Sequence, residues 1–360
     1  MAEFVLSGIG IRGISCAVPK NKVENTDYYD KFGKEAVDNV IKMTGVQSSY
    51  RTLEEQTASD LCYVAAKNLL DAKGIDAQEI GALVFISQTP DYRLPPTACV
   101  LHKRLGLDKA CMAFDVNLGC SGWVYGVNIV GSLMQTSNIE KALLLFGDTC
   151  IKTASPEDRG MVMLFGEGGS ATLLAKEADK TTRGELMTDG EGFKAIITPS
   201  GAYRNRHGNP ERIKQPDGTV RSDYDGYMNG TDVFSFTITQ VPKMIKRFAG
   251  KNGELCDQYD AIILHQANLY IMQQIARKAR VPMEKIPISI DRYGNTSGMS
   301  IPLTICDAYG ETNDKELHLL TCGYGIGLSW GIVDAIINCD DILPIAFTDD
   351  HYTEGGLELD

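Results

Sequence analysis

The chain has no run approaching 18 consecutive apolar residues, which excludes a membrane-spanning helix. Its opening stretch, "MAEFVLSGIGIRGI", carries no basic segment ahead of its apolar residues, so no secretory signal is expected. The ten cysteines, at 16, 62, 99, 111, 120, 150, 256, 306, 322 and 339, show no CxxC spacing. In a chain this long that scatter is neither a disulfide framework nor a zinc site. It fits core thiols kept reduced in a cytoplasm. Positive charge is the minority: 35 Lys and Arg stand against 47 Asp and Glu, a formal net charge of −12. That balance argues against a nucleic-acid partner, whose phosphates would be repelled. It does not exclude an acidic protein, because a local basic patch can still steer one.

What is present is ordinary core material, 43% hydrophobic and 23% charged, in 360 residues. That length exceeds the usual ceiling for one core and predicts two domains or two fused halves. Apolar runs at 80–89, 110–116, 141–147 and 171–175 read as strands. The stretches 55–74 and 121–135, with apolar residues three and four apart, read as helices. Strands buried on both faces and separated by helices predict an α/β layered architecture.

The second half repeats this order. "YDAIILHQAN" (259–268) echoes "IGALVFISQT" (80–89), and a helix follows. "LDKACMAFDVNLGCSG" from Leu107 aligns without gaps on "MEKIPISIDRYGNTSG" from Met283, placing Asp115 on Asp291 and Gly122 on Gly298. Each copy reads as a helix exit, an apolar strand, an Asp and a glycine-rich turn, which points to duplication. The division expected is a first half over 1–180, a connecting region over 181–235, a second half over 236–338, and an acidic extension over 339–360. The connecting region contains a polar, Gly/Pro-rich stretch at 200–226. The extension lacks periodicity and reads as a surface tail with no assigned role.

Duplication brings equivalent turns together around a pseudo-twofold axis. One carries Cys120, in "FDVNLGCSGWVYGV"; the other carries Asn295, in "YGNTSG"; the strand end "LHQAN" adds His265. A cysteine at a helix start meets unpaired N–H groups and the positive end of the macrodipole, conditions that lower a thiol's pKa. Singly, each residue has a plainer reading: a small turn residue, a structural histidine, a turn-forming asparagine. Jointly, at three strand-to-loop junctions, they make a catalytic set.

"GCSG", "HQAN", "YGNTSG" and "GYGIGLSWG", with "SPEDRGMVMLFGEGGSATLL" (155–174), resemble the β-ketoacyl-acyl-carrier-protein synthase III family of the thiolase superfamily over roughly residues 5–335. The resemblance implies a thiolase-like fold of duplicated halves, a layered αβαβα arrangement with two mixed five-stranded sheets, and a homodimer. It implies Cys120 as nucleophile and His265 with Asn295 as the decarboxylation pair. The backbone N–H groups of Cys120 and Ile326 would form the oxyanion hole. Leu94 would cross the dimer interface into the partner's acyl pocket, and Arg159 would contact coenzyme A or pantetheine. The partners implied are an acyl carrier protein and an acyl-CoA or acyl-carrier primer, with malonyl-carrier as extender, no metal, and no cofactor beyond these thioesters.

Some positions depart from the family. Its adenine-gripping Trp and Arg are Asn39 and Met43 here, so the primer is expected to bind weakly as a CoA ester or to arrive on a carrier. Two positions basic in the family are Ser235 and Tyr270. Lys243, Lys246, Arg247, Arg277 and Lys278 could dock an acidic carrier or simply form a solvated face. Ile326 replaces the family's central oxyanion glycine, keeping the N–H while narrowing the space above the sulfur. A related acyltransferase that forms an ester or amide without decarboxylation stays open. A cysteine hydrolase and a noncatalytic scaffold are weaker alternatives, the latter opposed by the intact Cys/His/Asn set.

Overall fold

A computed structural model of the protein describes residues 2–252 and 258–353. Its main sheet system has nine strands: β1 (Ala2–Pro19), β2 (Ala82–Ile86), β3 (Met112–Val116), β4 (Lys141–Asp148), β5 (Gly168–Thr188), β6 (Ala261–Leu264), β7 (Glu316–Gly325), β8 (Ser329–Asn338) and β9 (Ala346–Thr348). The principal helices are α1 (Lys34–Thr44), α2 (Ala58–Lys73), α3 (Thr97–Leu105), α4 (Gly122–Gln135), α5 (Gly230–Asn252), α6 (Leu269–Ala279) and α7 (Ser300–Tyr309).

Duplication is visible in the strand pairing. In the first half β2 runs parallel to both β3 and β4, and β4 pairs antiparallel with the early part of β5. In the second half β6 runs parallel to β7, β7 pairs antiparallel with β8, and β8 with the late part of β5. β1 lies antiparallel along both parts of β5. β1 and β5 run through both halves and join the two sets of strands in one continuous ladder, with five strands serving each half. β5 passes through residue 180, where the sequence reading ended the first half. Gly8, at a φ of 72°, and nearby register shifts allow β1 to bend between the two.

One expected strand is absent. Residues 286–290, which align on 110–114 and so overlap the start of β3, join no ladder. The buried Gln266 amide takes up their backbone groups instead: Oε1 accepts from Ser289 N–H (3.1 Å) and Ile290 N–H (3.3 Å), and Nε2 donates to the Pro287 carbonyl (3.4 Å).

Period-two burial sets the layers. Ala82, Val84 and Ile86 of β2 face a central core shared with Trp123, Val127 and Val130 of α4 and Ile301 and Ile305 of α7. Leu83 and Phe85 face outward onto Leu61, Leu69 and Leu101 of α2 and α3. β6 repeats the pattern, with Ile263 toward the central core and Ile262 and Leu264 toward α5 and α6. The result is helix, sheet, helix, sheet, helix, with α4 and α7 buried in the middle. No helix among the described residues is long and apolar enough to cross a membrane.

The acidic C-terminal stretch is not a bare surface tail. β9 pairs parallel with Ala17–Pro19 of β1, and Ile342 is buried. Beyond it, the Tyr352 N–H donates to Asp60 Oδ1 (2.9 Å) and its ring covers the Arg104 guanidinium, itself paired with Asp60 at 2.8 Å. Residues 354–360 lie outside the described residues, as does Cys256; the nine other cysteines are free thiols.

Candidate active site

The two aligned turns meet. A Cβ on Gly298 would lie 2.7 Å from the Gly119 carbonyl oxygen and 2.8 Å from the Phe146 ring, so only glycine lets them approach this closely. Phe146 also packs on Gly122. Ser121, beside the nucleophile candidate, is held by Ser329, their hydroxyls 2.6 Å apart, and Ser329 donates to the Ile326 carbonyl at 2.7 Å. At Gly325, with a φ of 157°, a Cβ would sit 2.6 Å from Cys120 Cβ and 2.8 Å from its sulfur. The "GYGIGLSWG" turn thereby reaches the thiol with its backbone.

Cys120, His265, Asn295 and Ile326 line one cavity of ≈ 330 Å³. Much of its remaining wall is apolar, including Leu164, Phe165, Ile196, Met228, Val233 and Ile271. The wall comes from both halves and from the connecting region. Such a chamber suits an acyl chain or a pantetheine arm, with a few polar groups at one end. Among the described residues no group of three or more His, Cys, Asp or Glu could hold a metal ion.

His265 follows β6 and is 1% exposed. Its Nδ1 lies 2.8 Å from Ser300 Oγ, which also accepts from the Gln266 N–H at 3.1 Å. Tyr324 donates its hydroxyl to the His265 carbonyl at 2.8 Å and sets its ring edge-on to the imidazole. Burial pulls the imidazole pKa down to about 3, so the ring is neutral. Asn295 is fixed at both ends: Oδ1 accepts from the Ser297 N–H at 2.9 Å, and Nδ2 donates to the Ala267 carbonyl at 3.3 Å.

The thiol corrects one expectation. Burial pushes Cys120 up to about 11, rather than down toward a resting thiolate. The N–H groups of Ile326 and of Cys120 itself do favour the anion, as does the Ser297 hydroxyl, but desolvation outweighs them and the buried Asp148 charge adds to the rise. Both N–H groups expected in the oxyanion hole thus face the sulfur.

Other expected site residues lie apart from this chamber. Leu94 is 75% exposed and lines no part of its own chain's cavity. Arg159 opens a four-residue helix (Arg159–Val162) and is exposed; Met161, two residues on, reaches the cavity wall. Asn39 and Met43 are exposed on α1. Lys243 and Lys246 of α5 and Arg277 and Lys278 of α6 are exposed, as the docking reading requires. Arg247 differs from these lysines and arginines: it is only part-exposed and turns onto Glu185, 1% exposed, with Nη2 to Oε2 at 2.5 Å. Ser235 is exposed, and the half-exposed Tyr270 stacks on Phe234 at 5.7 Å.

Ser297, Ser300, Tyr324 and Asp148 were missed. The repeat itself held a signal for Ser297, which aligns on Ser121, the neighbour of Cys120. Tyr324 lay inside the quoted "GYGIGLSWG" without being singled out, and nothing local marked Asp148.

Two family models match the chain: 3-oxoacyl-[acyl-carrier-protein (ACP)] synthase III over residues 114–190, and the C-terminal part of the same synthase over 250–335. A beta-ketoacyl-[acyl-carrier-protein] synthase III of Clostridium perfringens is 32% identical over 324 residues, 89% of this chain and 96% of that one. The chain belongs to the 3-oxoacyl-[acyl-carrier-protein] synthase III family. Solved synthase structures agree. A 3-oxoacyl-(acyl-carrier protein) synthase from Burkholderia xenovorans matches with a TM-score of 0.91 and 36% identity, covering 96% of this chain and 99% of that one. A 3-oxoacyl-(acyl carrier protein) synthase III from Pseudomonas aeruginosa matches with a TM-score of 0.77 and 26% identity, covering 94% and 98%. The thiolase-like fold expected from the motifs is therefore the fold of this synthase III chain, and condensing-enzyme chemistry is the class of activity it belongs to.

Proposed function

We propose that the chain joins an acyl thioester primer to a malonyl group on an acyl carrier protein, through an acyl group held on Cys120. The supporting observation is the single cavity walled by Cys120, His265 and Asn295, with the Ile326 N–H on the sulfur. Cys120 attacks the primer carbonyl, and the N–H groups of Cys120 and Ile326 stabilise the oxyanion. A donor of this kind is worth about 3–4 kcal/mol. The carrier thiol leaves and the acyl-enzyme remains, which divides one difficult step into two. The malonyl thioester then loses CO2, and negative charge grows on its carbonyl oxygen. With the Ser300 hydroxyl proton directed at Nδ1, His265 carries its own proton on Nε2 and donates to that oxygen beside the Asn295 amide. A neutral donor fits this step, and burial keeps the imidazole neutral. The enolate carbon attacks the acyl group, releasing the β-ketoacyl product and the Cys120 sulfur.

The exposed Asn39 and Met43 offer no grip on an adenine, which favours a primer delivered on a carrier protein, with Arg159 contacting the pantetheine phosphate. The exposed Leu94 suits insertion into a partner subunit of a homodimer. The reading requires no metal or redox group, and the free thiols among the described cysteines support a reducing, cytoplasmic setting. Intact-protein mass spectrometry with a panel of acyl-CoA and acyl-carrier thioesters, followed by malonyl-carrier, tests this reading. Expected are an acyl mass on Cys120, then CO2 release with loss of that mass. Acylation followed by ester or amide formation without CO2 would instead make this a non-decarboxylating, ester- or amide-forming acyltransferase; no acylation of Cys120 by any thioester refutes the proposal.

A further inference from the structure

Most polar side chains in the chamber wall are already committed. Asn268 accepts from the Ile271 N–H (2.7 Å) and so caps α6, Thr237 donates to the Val233 carbonyl (2.9 Å), and Thr153 to the Cys150 carbonyl (3.0 Å). Thr89 accepts from the Thr149 N–H at 2.9 Å and donates to Asp148 Oδ1 at 3.3 Å. Two carboxamides in the same wall are not committed. Gln88 follows β2, and only its backbone is fixed, the N–H donating to Asp148 Oδ1 at 2.7 Å. Asn117 follows β3, in the turn that leads to Cys120. Neither side-chain amide has a hydrogen-bond partner among the described residues.

The Gln88 amide stands beside the reacting residue. A Cβ placed on Gly119 would strike Gln88 Oε1 and would lie 2.6 Å from Ile326 Cγ2, so the ends of both side chains lie over the peptide just ahead of Cys120. Only a glycine leaves that room. Both amides are exposed, and they stay hydrated until an acyl group fills the chamber. An amide stripped of water without a new partner is costly. A primer that supplies a partner therefore gains over one that does not.

We propose that Gln88 and Asn117 select a primer whose acyl group carries a hydroxyl close to the thioester. This rests on the condensation reading for the acyl-enzyme and adds the class of primer. A hydroxyl accepts from an amide N–H and donates to an amide oxygen, whereas a plain alkyl chain does neither. The carrier arm takes the other part of the chamber. Arg159, assigned to the pantetheine phosphate, leads through Met161 to the apolar lining, which leaves the wall beside Gly119 to the acyl group. In the step itself the Cys120 sulfur bonds to the primer carbonyl carbon, the bond to the carrier sulfur breaks, and the thiol proton leaves with the carrier thiol. The two amides change no bond; they determine specificity by what they match.

Two primers of equal length test this: the pantetheine thioesters of butanoate and of 3-hydroxybutanoate, the latter as each enantiomer. Timed intact-protein mass spectrometry gives the rate of Cys120 acylation by each. The quantity read is the ratio of the better hydroxylated primer to butanoate within one protein, so any general change in reactivity cancels. The proteins are wild type, Gln88→Leu, Asn117→Leu and the double variant, leucine keeping the bulk while removing the amide. The wild type should favour the hydroxylated primer by at least about tenfold, and the double variant should bring the ratio down to about one. A smaller wild-type preference, or a ratio that the double variant leaves in place, overturns the proposal. Should the double variant fail to fold, Gln88→Leu decides alone, and an unmoved ratio refutes the selection. Acylation by both primers without preference rejects the selection and leaves condensation standing. No acylation by these or by the wider thioester panel rejects the condensation reading and the selection together.

Discussion

Acidification should weaken the fold through His265 by a predictable amount. The unfolded chain protonates this histidine near 6.5, whereas burial holds the folded ring neutral down to about 3. As pH falls below about 6.5 the unfolded state binds the proton first, so stability is lost and keeps falling until the folded pKa is reached. Between about pH 7.5 and about pH 5 that single group costs about 2 kcal/mol, at 1.36 kcal/mol per unit of pH. Carboxyls also titrate over this range, and the raised values of Asp148 and Asp115 work in the opposite direction. The comparison with His265→Gln cancels them, because every other titrating group is shared. Guanidinium unfolding of both proteins at fixed protein concentration, across that range, should give curves that diverge by about 2 kcal/mol at the acidic end. Curves that stay within about 0.5 kcal/mol of each other would mean that the folded ring titrates like a solvated histidine. The argument for a neutral hydrogen-bond donor would then fail.

Gly325→Ala should cut acyl-enzyme formation by at least about 100-fold, because the new methyl meets the Cys120 side chain and displaces the sulfur from its two N–H groups; intact mass after a timed primer pulse reads this directly. Arg247→Glu should destabilise the protein by about 3–5 kcal/mol, since it leaves the buried Glu185 facing a like charge, as measured by denaturant unfolding. Lys246→Glu, on the exposed side of the same helix, should leave the melting temperature unchanged and slow the carrier-dependent step at low salt; an equal rate at low salt would remove α5 from the docking surface.

The elements read from the sequence were those whose signal lies in their own residues. A continuous apolar run marked β2, which is buried on both faces, and three- and four-residue spacing marked α2 and α4, which each bury a regular face. Residues 286–290 looked like a strand for the same reason, yet their backbone groups go to the Gln266 amide, some twenty positions earlier. Arg247 looked like part of a cationic face because its partner, Glu185, lies on a distant strand. The sign of the Cys120 shift was misread on similar grounds. A glycine-flanked cysteine before a helix shows the N–H groups that favour a thiolate, but the depth of burial that overrules them is supplied by the opposite half. Local groups were legible, and desolvation was not.

What the duplication conserves is close approach, while the chemistry lies in what diverged. Gly122 and Gly298, paired by the repeat, both pack on the Phe146 ring and keep equivalent work. Asp115 and Asp291 do not. Asp115 accepts from the N–H groups of Thr97 and Ala98 at 2.7 Å and anchors α3, whereas Asp291 faces Arg292 at 3.4 Å. The serines that follow show the same divergence. Ser121 is tied to Ser329 and steadies the turn behind the sulfur, while Ser297 lines the chamber with the sulfur and holds Asn295 through its N–H. A symmetric ancestor would have placed two like turns face to face across one chamber. Chemistry became possible once one turn held the thiol and the other the amide and the left-handed serine that share its cavity, so the site needs both copies and belongs to neither alone.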